Sequence, residues 1–312
     1  MEVALLRSPQ HRRRQHQGRM RYGQVVIGPP GSGKSTYCHG VHQFFTALDR
    51  PVAIVNLDPA VHEPTYPCAL NVTELISLDD AMEAHGLGPN GAMLFCLEYL
   101  DQHKDEWLAP ALDRVCAQFG DDESSVKPFI VFDTPGQVEL STDHESLKNV
   151  IEWLARKGWR LCATHLVDAH HITDASKYIS LLLLSLRTML QMELPHINVL
   201  SKVDLLRNAG ELAFNLDYYT DVQDLDQLLP LLESDKRTAK FAHLNRLICE
   251  IVEDFSLVNF ETLCVEVRCL SLCQRVDLHS GLTCTLTGQA VNDEADAGHR
   301  PDARLRGAHL TA

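Results

Sequence analysis

Gly28-Pro-Pro-Gly-Ser-Gly33-Lys34-Ser35 fits the spacing G-x-x-x-x-G-K-[ST] without a gap. Glycines at those positions let the backbone curl so that successive N–H groups point inward at an anion. The lysine then reaches the β- and γ-phosphates of a nucleotide, and the serine hydroxyl can ligate Mg2+. Gly31, Ser32, Gly33, Lys34, Ser35 and Thr36 are therefore expected on the phosphates. A chance Gly/Pro turn is the competing explanation, and context weakens it. Val25-Val26-Ile27 reads as a strand and Thr36 onward as a helix, whose N-terminus adds partial positive charge.

Asp133-Thr-Pro-Gly136-Gln137 closes the apolar run Phe129-Ile-Val-Phe132. An aspartate that ends a buried strand beside such a loop holds Mg2+ directly or through water, so Ser35 and Asp133 are the expected metal residues. Gly136 can offer its N–H to the γ-phosphate and act as a hinge when that phosphate leaves. Gln137 follows it and joins the catalytic candidates. Asp58, in Asn56-Leu-Asp-Pro-Ala60, ends the second strand in the same manner and can face the metal or the attacking water. For both aspartates a plain loop turn is the alternative.

Val199-Leu-Ser201-Lys202-Val203-Asp204 follows [NT]-K-x-D at a strand end, with Ser where many GTPases have an Asn bracing the loop. Guanine presents N1–H and a 2-amino group side by side, and one carboxylate can accept from both; adenine has no such pair. A lysine stem can lie along the base. GTP is thus the expected nucleotide, with Ser201, Lys202 and Asp204 at the base. A helix-capping role for Asp204 is the alternative.

These motifs need a scaffold that brings strand ends together. Short apolar runs alternate with helical patterns, which predicts βα units and an α/β fold: a P-loop NTPase with a mainly parallel sheet flanked by helices. Strands are expected at Gln24–Ile27, Val52–Leu57, Ala92–Cys96, Pro128–Phe132, Leu161–Val167 and His196–Leu200. Helices are expected at Lys34–Leu48, Leu97–Phe119, Ser141–Lys157 and Thr173–Met192, with a polar loop over Gly120–Lys127. Gln223–Leu232 and Ala239–Phe255 read as a helical insertion beside the sheet.

Composition sets the remaining bounds. At 45% hydrophobic, the 312 residues can bury a sizeable core. No apolar run approaches the roughly 18 residues of a membrane span, so no membrane partner is expected. Ten cysteines are scattered without a C-x-x-C pair, and Cys264, Cys269 and Cys273 fit no common zinc spacing. Reduced thiols and a cytoplasmic location are expected. The first 21 residues carry a balance of +5 against −14 for the whole chain, so the body is strongly acidic and no direct nucleic-acid partner is expected. Residues 1–19 read as a disordered basic extension ahead of Met20, with a transit peptide as the alternative. All twenty aromatic residues lie at or before Phe260, so residues 261–312 read as a divergent, disordered tail. The sixteen histidines, His170-His171 included, read as solvated or core residues.

With these motifs in one order, the chain resembles the GPN-loop GTPases. The residues that carry the likeness are Gly28 to Lys34, Asn56-Leu-Asp-Pro-Ala60, Gly88-Pro-Asn90, Asp133-Thr-Pro-Gly-Gln-Val-Glu139 and Ser201-Lys-Val-Asp204. Glu193-Leu-Pro-His-Ile-Asn198 and Ala213-Phe-Asn-Leu-Asp-Tyr-Tyr219 are similar to the second paralogue branch, nearest its plant members. The likeness covers residues 20–260, the expected GTPase domain, and from Glu261 the chain no longer keeps to the family pattern. By its spacing alone Gly88-Pro-Asn-Gly91 is a turn. The resemblance implies instead that this loop crosses a dimer interface, so that Asn90 donates its amide to the transferring phosphate of a neighbouring subunit. It implies homodimers, or heterodimers with GPN-loop paralogues, and a role with RNA polymerase subunits in polymerase assembly and nuclear import, the protein shuttling between cytoplasm and nucleus. Asn90, Asp58 and Gln137 form the expected catalytic set. A GTP-dependent scaffold or assembly chaperone that does not hydrolyse is the alternative from another class. A P-loop kinase is a third, which predicts ATP preference and an arginine-rich lid, and the sequence shows neither clearly.

Overall fold

The structure, a computed structural model, describes residues 21–120, 127–136, 145–208, 212–234 and 239–265. β1 (Arg21–Ile27) is buried from Gly23 to Ile27. An edge strand would leave one side open; this one is covered because it lies in the middle of the sheet. Around it run β2 (Val52–Asn56), β3 (Cys68–Asn71), β4 (Phe129–Asp133), β5 (Trp159–Asp168), β6 (His196–Ser201) and β7 (Phe260–Leu263). The order is β3-β2-β4-β1-β5-β6-β7, and every pairing is parallel.

Parallel neighbours require crossovers, and helices supply them. They are α1 (Lys34–Ala47), α2 (Leu78–His85), α3 (Pro89–Gln102), α4 (Ala109–Ala117), α5 (Glu145–Arg156), α6 (Ala175–Met192), α7 (Leu216–Asp221), α8 (Leu229–Ser234) and α9 (Ala242–Phe255). Alternation along the strands sorts the core into two layers. Val25, Ile27, Val55, Ile130 and Phe132 meet Leu112 of α4 and Leu147, Val150 and Ile151 of α5. Val26, Ile54 and Val131 face the other way, against Tyr37, Cys38, Val41 and Phe45 of α1. A third cluster joins Val167, Leu200 and Phe260 to α6 and to Leu225, Leu228, Cys249 and Val252 of the helical insertion. Among the described residues no helix is long and apolar enough to cross a membrane.

Two expectations are corrected here. Ala92–Cys96 is not a strand but lies within α3. The run Ala92-Met-Leu-Phe-Cys96 has no β-branched residue, Gly88 and Pro89 open a helix at its start, and Ala92, Met93, Cys96, Leu97 and Leu100 are buried at helical spacing. The helix expected over Leu97–Phe119 accordingly begins earlier and breaks: α3 ends at Gln102, and a π turn at Lys104–Leu108 leads into α4. Two short edge strands, β3 and β7, carried too few residues to stand out. β7 extends the sheet to Leu263, across the boundary drawn at Phe260. Residues 121–126 of the expected loop lie outside the described residues.

Candidate functional site

Register places the chemistry on one edge. Asn56 of β2 and Val26 of β1 both pair with Asp133 of β4, Ile27 pairs with His165 of β5, and Asp168 of β5 pairs with Ser201 of β6. Five strands therefore end side by side, and the loops that leave them share one crevice. In open parallel sheets the crevice beyond the carboxyl ends of the strands is where ligands bind.

The loop between β1 and α1 shows why glycine is needed. At Gly28 φ is +149°, and an added Cβ would lie 2.2 Å from the Leu166 carbonyl oxygen. Gly33, at φ +92°, turns the chain into α1, leaving the first N–H groups of that helix facing the loop. Lys34 is 9% exposed and donates to the carbonyls of Gly28 (3.0 Å) and Pro29 (3.2 Å). Burial lowers its pKa, and the charges of Asp133 and Asp58 act in the opposite sense. Gly136 closes over the lysine: a Cβ there would meet Lys34 Nζ at 2.8 Å and Pro30 Cα at 3.1 Å.

Asp133 is 3% exposed at the end of β4. Its Oδ2 accepts from Ser35 Oγ (3.0 Å) and from the hydroxyl of Tyr66 (2.8 Å). Its Oδ1 is buried and meets no partner. Burial raises the carboxyl pKa, opposed by Tyr66, Ser35 and Lys34; Asp58 is likewise raised by burial. A buried carboxylate oxygen without a donor costs free energy unless something charged or hydrogen-bonding meets it. Together with the Ser35 hydroxyl it is a donor set of hard oxygens, which suits Mg2+ completed by phosphate and water.

The segment after β2 is held by one amide. Asn56, fully buried, donates to the carbonyls of Asp58 and Val61 and to Asn71 Oδ1, while its own Oδ1 accepts from Asp58 N–H. Asp58 Oδ1 accepts from Ala60 N–H at 2.9 Å, the Asx turn that the sequence left as the alternative, and the carboxylate still feels Lys34.

At the base side, Ser201 Oγ lies 2.7 Å from the Ser32 carbonyl and 3.0 Å from that of Val167. The serine thus braces the loop against the phosphate loop, the task expected of asparagine. Lys202 holds φ +59°, a conformation that costs a residue with a side chain roughly 1–2 kcal/mol. Two contacts keep it there: Nζ donates to the Gly31 carbonyl and pairs with Asp168 Oδ2 at 2.8 Å. Asp204 is half-buried at the start of the 3-10 turn Val203–Asn208.

Gly31, Ser32, Gly33, Lys34, Ser35, Thr36, Asp58, Asp133, Gly136, Ser201, Lys202 and Asp204 are thus carried by the loops that leave this one edge. Asn90 is not on them. Gly88 is the N-cap of α3, Pro89 its first residue, and both stand exposed with Asn90, on a helix packed against α2 and α5. Gln137 lies outside the described residues. Tyr66, Asn56 and Asp168 were missed. Tyr66 looked like any core aromatic in a loop, and only the strand-ending position of Asp168, matching Asp58 and Asp133, could have drawn attention to it.

A glycine-rich loop after the central strand, a helix rising from it and an aspartate closing the adjacent strand define a P-loop nucleotide hydrolase. A family model described as a conserved hypothetical ATP binding protein matches residues 26–269. The chain is 51% identical to GPN-loop GTPase QQT1 of Arabidopsis thaliana, covering 79% of this chain and 80% of that protein. It is 49% identical to GPN-loop GTPase 2 of Danio rerio (79% and 76%) and 46% identical to GPN-loop GTPase 2 of Saccharomyces cerevisiae (79% and 70%). A GTPase from Pyrococcus abyssi, PAB0955 in its apo form, superposes with a TM-score of 0.61 at 24% identity over 79% of this chain and 92% of that one, a likeness of fold. The chain belongs to the GPN-loop GTPases, a family of nucleotide-binding, GTP-hydrolysing enzymes.

Proposed function

We propose that the protein binds GTP with Mg2+ along this edge and hydrolyses it, as a dimer that serves the assembly and nuclear import of RNA polymerase. The observation that carries the chemistry is the buried Asp133, tied at one oxygen to Ser35 and Tyr66 and bare at the other, next to a lysine held on the loop's own carbonyls. Ser35 and Asp133 would hold Mg2+, which would supply positive charge as the phosphate oxygens become more negative. In the reaction a water adds to the γ-phosphorus, the bond to the β–γ bridging oxygen breaks, and GDP and inorganic phosphate leave. Lys34 leaves the Gly28 and Pro29 carbonyls to meet the phosphates. Gly136, with no side chain, lets its backbone approach the γ-phosphate, and Asp58 orients the water.

Asn90 completes the site from a second subunit. Its exposed position at the start of α3 supports that role. Lys202 and Asp204 favour guanine, although the matching family model bears the words ATP binding. Polymerase assembly, the paralogue partners and shuttling between cytoplasm and nucleus rest on the family resemblance. Competition decides the base. A fluorescent GTP analogue should be displaced by GTP far more readily than by ATP, and Lys34→Ala should abolish detectable binding, because the polyphosphate loses its principal counter-charge. Equal displacement by the two nucleotides would remove the guanine assignment, and near-normal affinity in Lys34→Ala would remove the phosphate site.

A further inference from the structure

Tyr66 lies between β2 and β3, 67 residues from Asp133 in sequence, yet it touches that carboxylate at the centre of the site. Its ring is 4% exposed, packed in the cluster that holds Tyr37, Cys38, Val41, Ile54 and Val131 beneath α1. Its hydroxyl is 2.8 Å from Asp133 Oδ2 and 3.5 Å from Asn56 Oδ1. A hydroxyl has one proton to give, and the shorter contact to the charged acceptor takes it. Ser35 Oγ donates to the same Oδ2 at 3.0 Å, so both donors lie on one oxygen and Oδ1 is left bare. The terminal torsion of an aspartate is broad and two-fold, so nothing intrinsic decides which oxygen faces the site.

We infer that Tyr66 is a positioning residue of the metal site: its hydroxyl fixes Asp133 so that Oδ1 is presented to Mg2+ and its waters. This rests on the assignment of Mg2+ to Ser35 and Asp133 and adds a residue to it. When Ser35 Oγ ligates the metal through a lone pair it can still donate its proton to Oδ2, but its position is then set by the metal. Tyr66 is the donor on Oδ2 whose oxygen is not itself a metal ligand. The hydroxyl is anchored through a buried ring rather than a flexible stem, so it keeps its direction when nucleotide enters. Partners of this kind, one shell removed from the metal, commonly account for 10- to 100-fold in affinity or activity.

The test uses the full chain and a non-hydrolysable fluorescent GTP analogue, titrated with MgCl2 after removal of divalent ions by EDTA. In Tyr66→Phe the ring and its packing stay and only the hydroxyl goes. The Mg2+ concentration that half-maximally tightens the analogue should rise at least about tenfold, while affinity in EDTA equals that of the unmutated protein. An unchanged Mg2+ midpoint would overturn the inference. So would an equal loss of affinity with and without Mg2+, which marks a purely structural residue. Tyr66→Leu should raise the midpoint as Tyr66→Phe does, and a normal midpoint there would overturn the inference as well. If the unmutated protein binds the analogue equally in EDTA and Mg2+, the metal assignment of Ser35 and Asp133 is itself wrong, a result distinct from a Tyr66-specific failure.

Discussion

The site is built from charges that burial weakens and partners restore. Lys34 is pushed down in pKa and Asp58 and Asp133 are pushed up, each by loss of water, so the three hold one another only in part. Lys202 shows the same logic in backbone terms: a strained left-handed residue persists because Asp168 and the Gly31 carbonyl hold its ammonium. With Lys202 Nζ engaged by Gly31 and Asp168, recognition of the base in the proposed function falls to Asp204. Asp204→Asn should turn preference from GTP toward xanthosine triphosphate, whose 2-oxo group matches an amide donor. Each charged hydrogen bond lost to guanine should cost about 1.5–3 kcal/mol. Isothermal titration with both nucleotides measures this, and an unchanged preference for GTP would show that another group reads the base.

At the scale of elements, the segment from Asn56 to Asn71 connects the phosphate edge to the helix that carries Asn90. Asn71 caps the turn after β3, the Pro59 carbonyl accepts from Leu78 N–H at 3.0 Å, and Ser77 caps α2, which packs on α3. The GPN loop is therefore the N-terminus of a helix rather than a loose turn. Gly88 takes an extended cap conformation, and Pro89 sits where its missing N–H costs nothing. Asn90→Ala should reduce hydrolysis by about 10²–10³ with little loss of GTP binding, as expected of a donor engaged mainly in the transition state. Mixing Asn90→Ala with Lys34→Ala chains should restore part of the activity, because one site of each mixed dimer pairs an intact P-loop with an intact neighbouring Asn90. A dead mixture in which mixed dimers demonstrably form would end the shared-site mechanism.

The sequence was most readable where one residue type is forced. Gly28, Gly33 and Gly136 stand at a left-handed φ or a backbone-close approach, Lys34 and Asp133 follow at fixed offsets, and the strands they terminate are continuous apolar runs. Ala92–Cys96 defeated the same method because five apolar residues fit a strand and a buried helix equally well, and the deciding signal lay upstream in Gly88-Pro89. Tyr66 and Asp168 were illegible for another reason: their roles depend on partners 67 and 34 residues away in sequence, brought close only by the sheet.

Over the whole molecule, the sheet also holds a histidine pair, His165 buried and His196 half-buried. His165 on β5 is held between Asn198 Oδ1 (3.2 Å) and Ser185 Oγ (3.4 Å), and the ring of His196 on β6 stands 5.9 Å away. Burial lowers their pKa values to about 4 and about 3 from an ordinary 6.5. A histidine whose folded pKa is depressed contributes stability that is present above its unfolded pKa and lost as pH falls toward the folded one. Stability should therefore fall between about pH 6.5 and 4, by roughly 1.4 kcal/mol per pH unit per histidine. Thermal melts of the unmutated protein and of His196→Phe across this range check it. The substituted protein should lose less stability on acidification, and identical slopes would place the acid sensitivity elsewhere.

The central position of β1 also has a bearing on how the chain is made. The strand that leads into the phosphate loop is the first to be synthesised, yet its hydrogen-bonding neighbours are Phe129–Asp133 and Trp159–Asp168. At about 5–20 residues per second, an emerging chain waits on the order of ten seconds before both flanks exist. Until Phe129–Asp133 has been made, the apolar run Val25-Val26-Ile27 has no neighbouring strand to pair with and the glycine loop has no aspartate opposite it. Nucleotide meets only the phosphate loop in the early chain, since Asp133 and the Ser201-Lys202-Val203-Asp204 segment are synthesised later. Until then the nascent segment depends on whatever shields an unpaired hydrophobic strand in the cell.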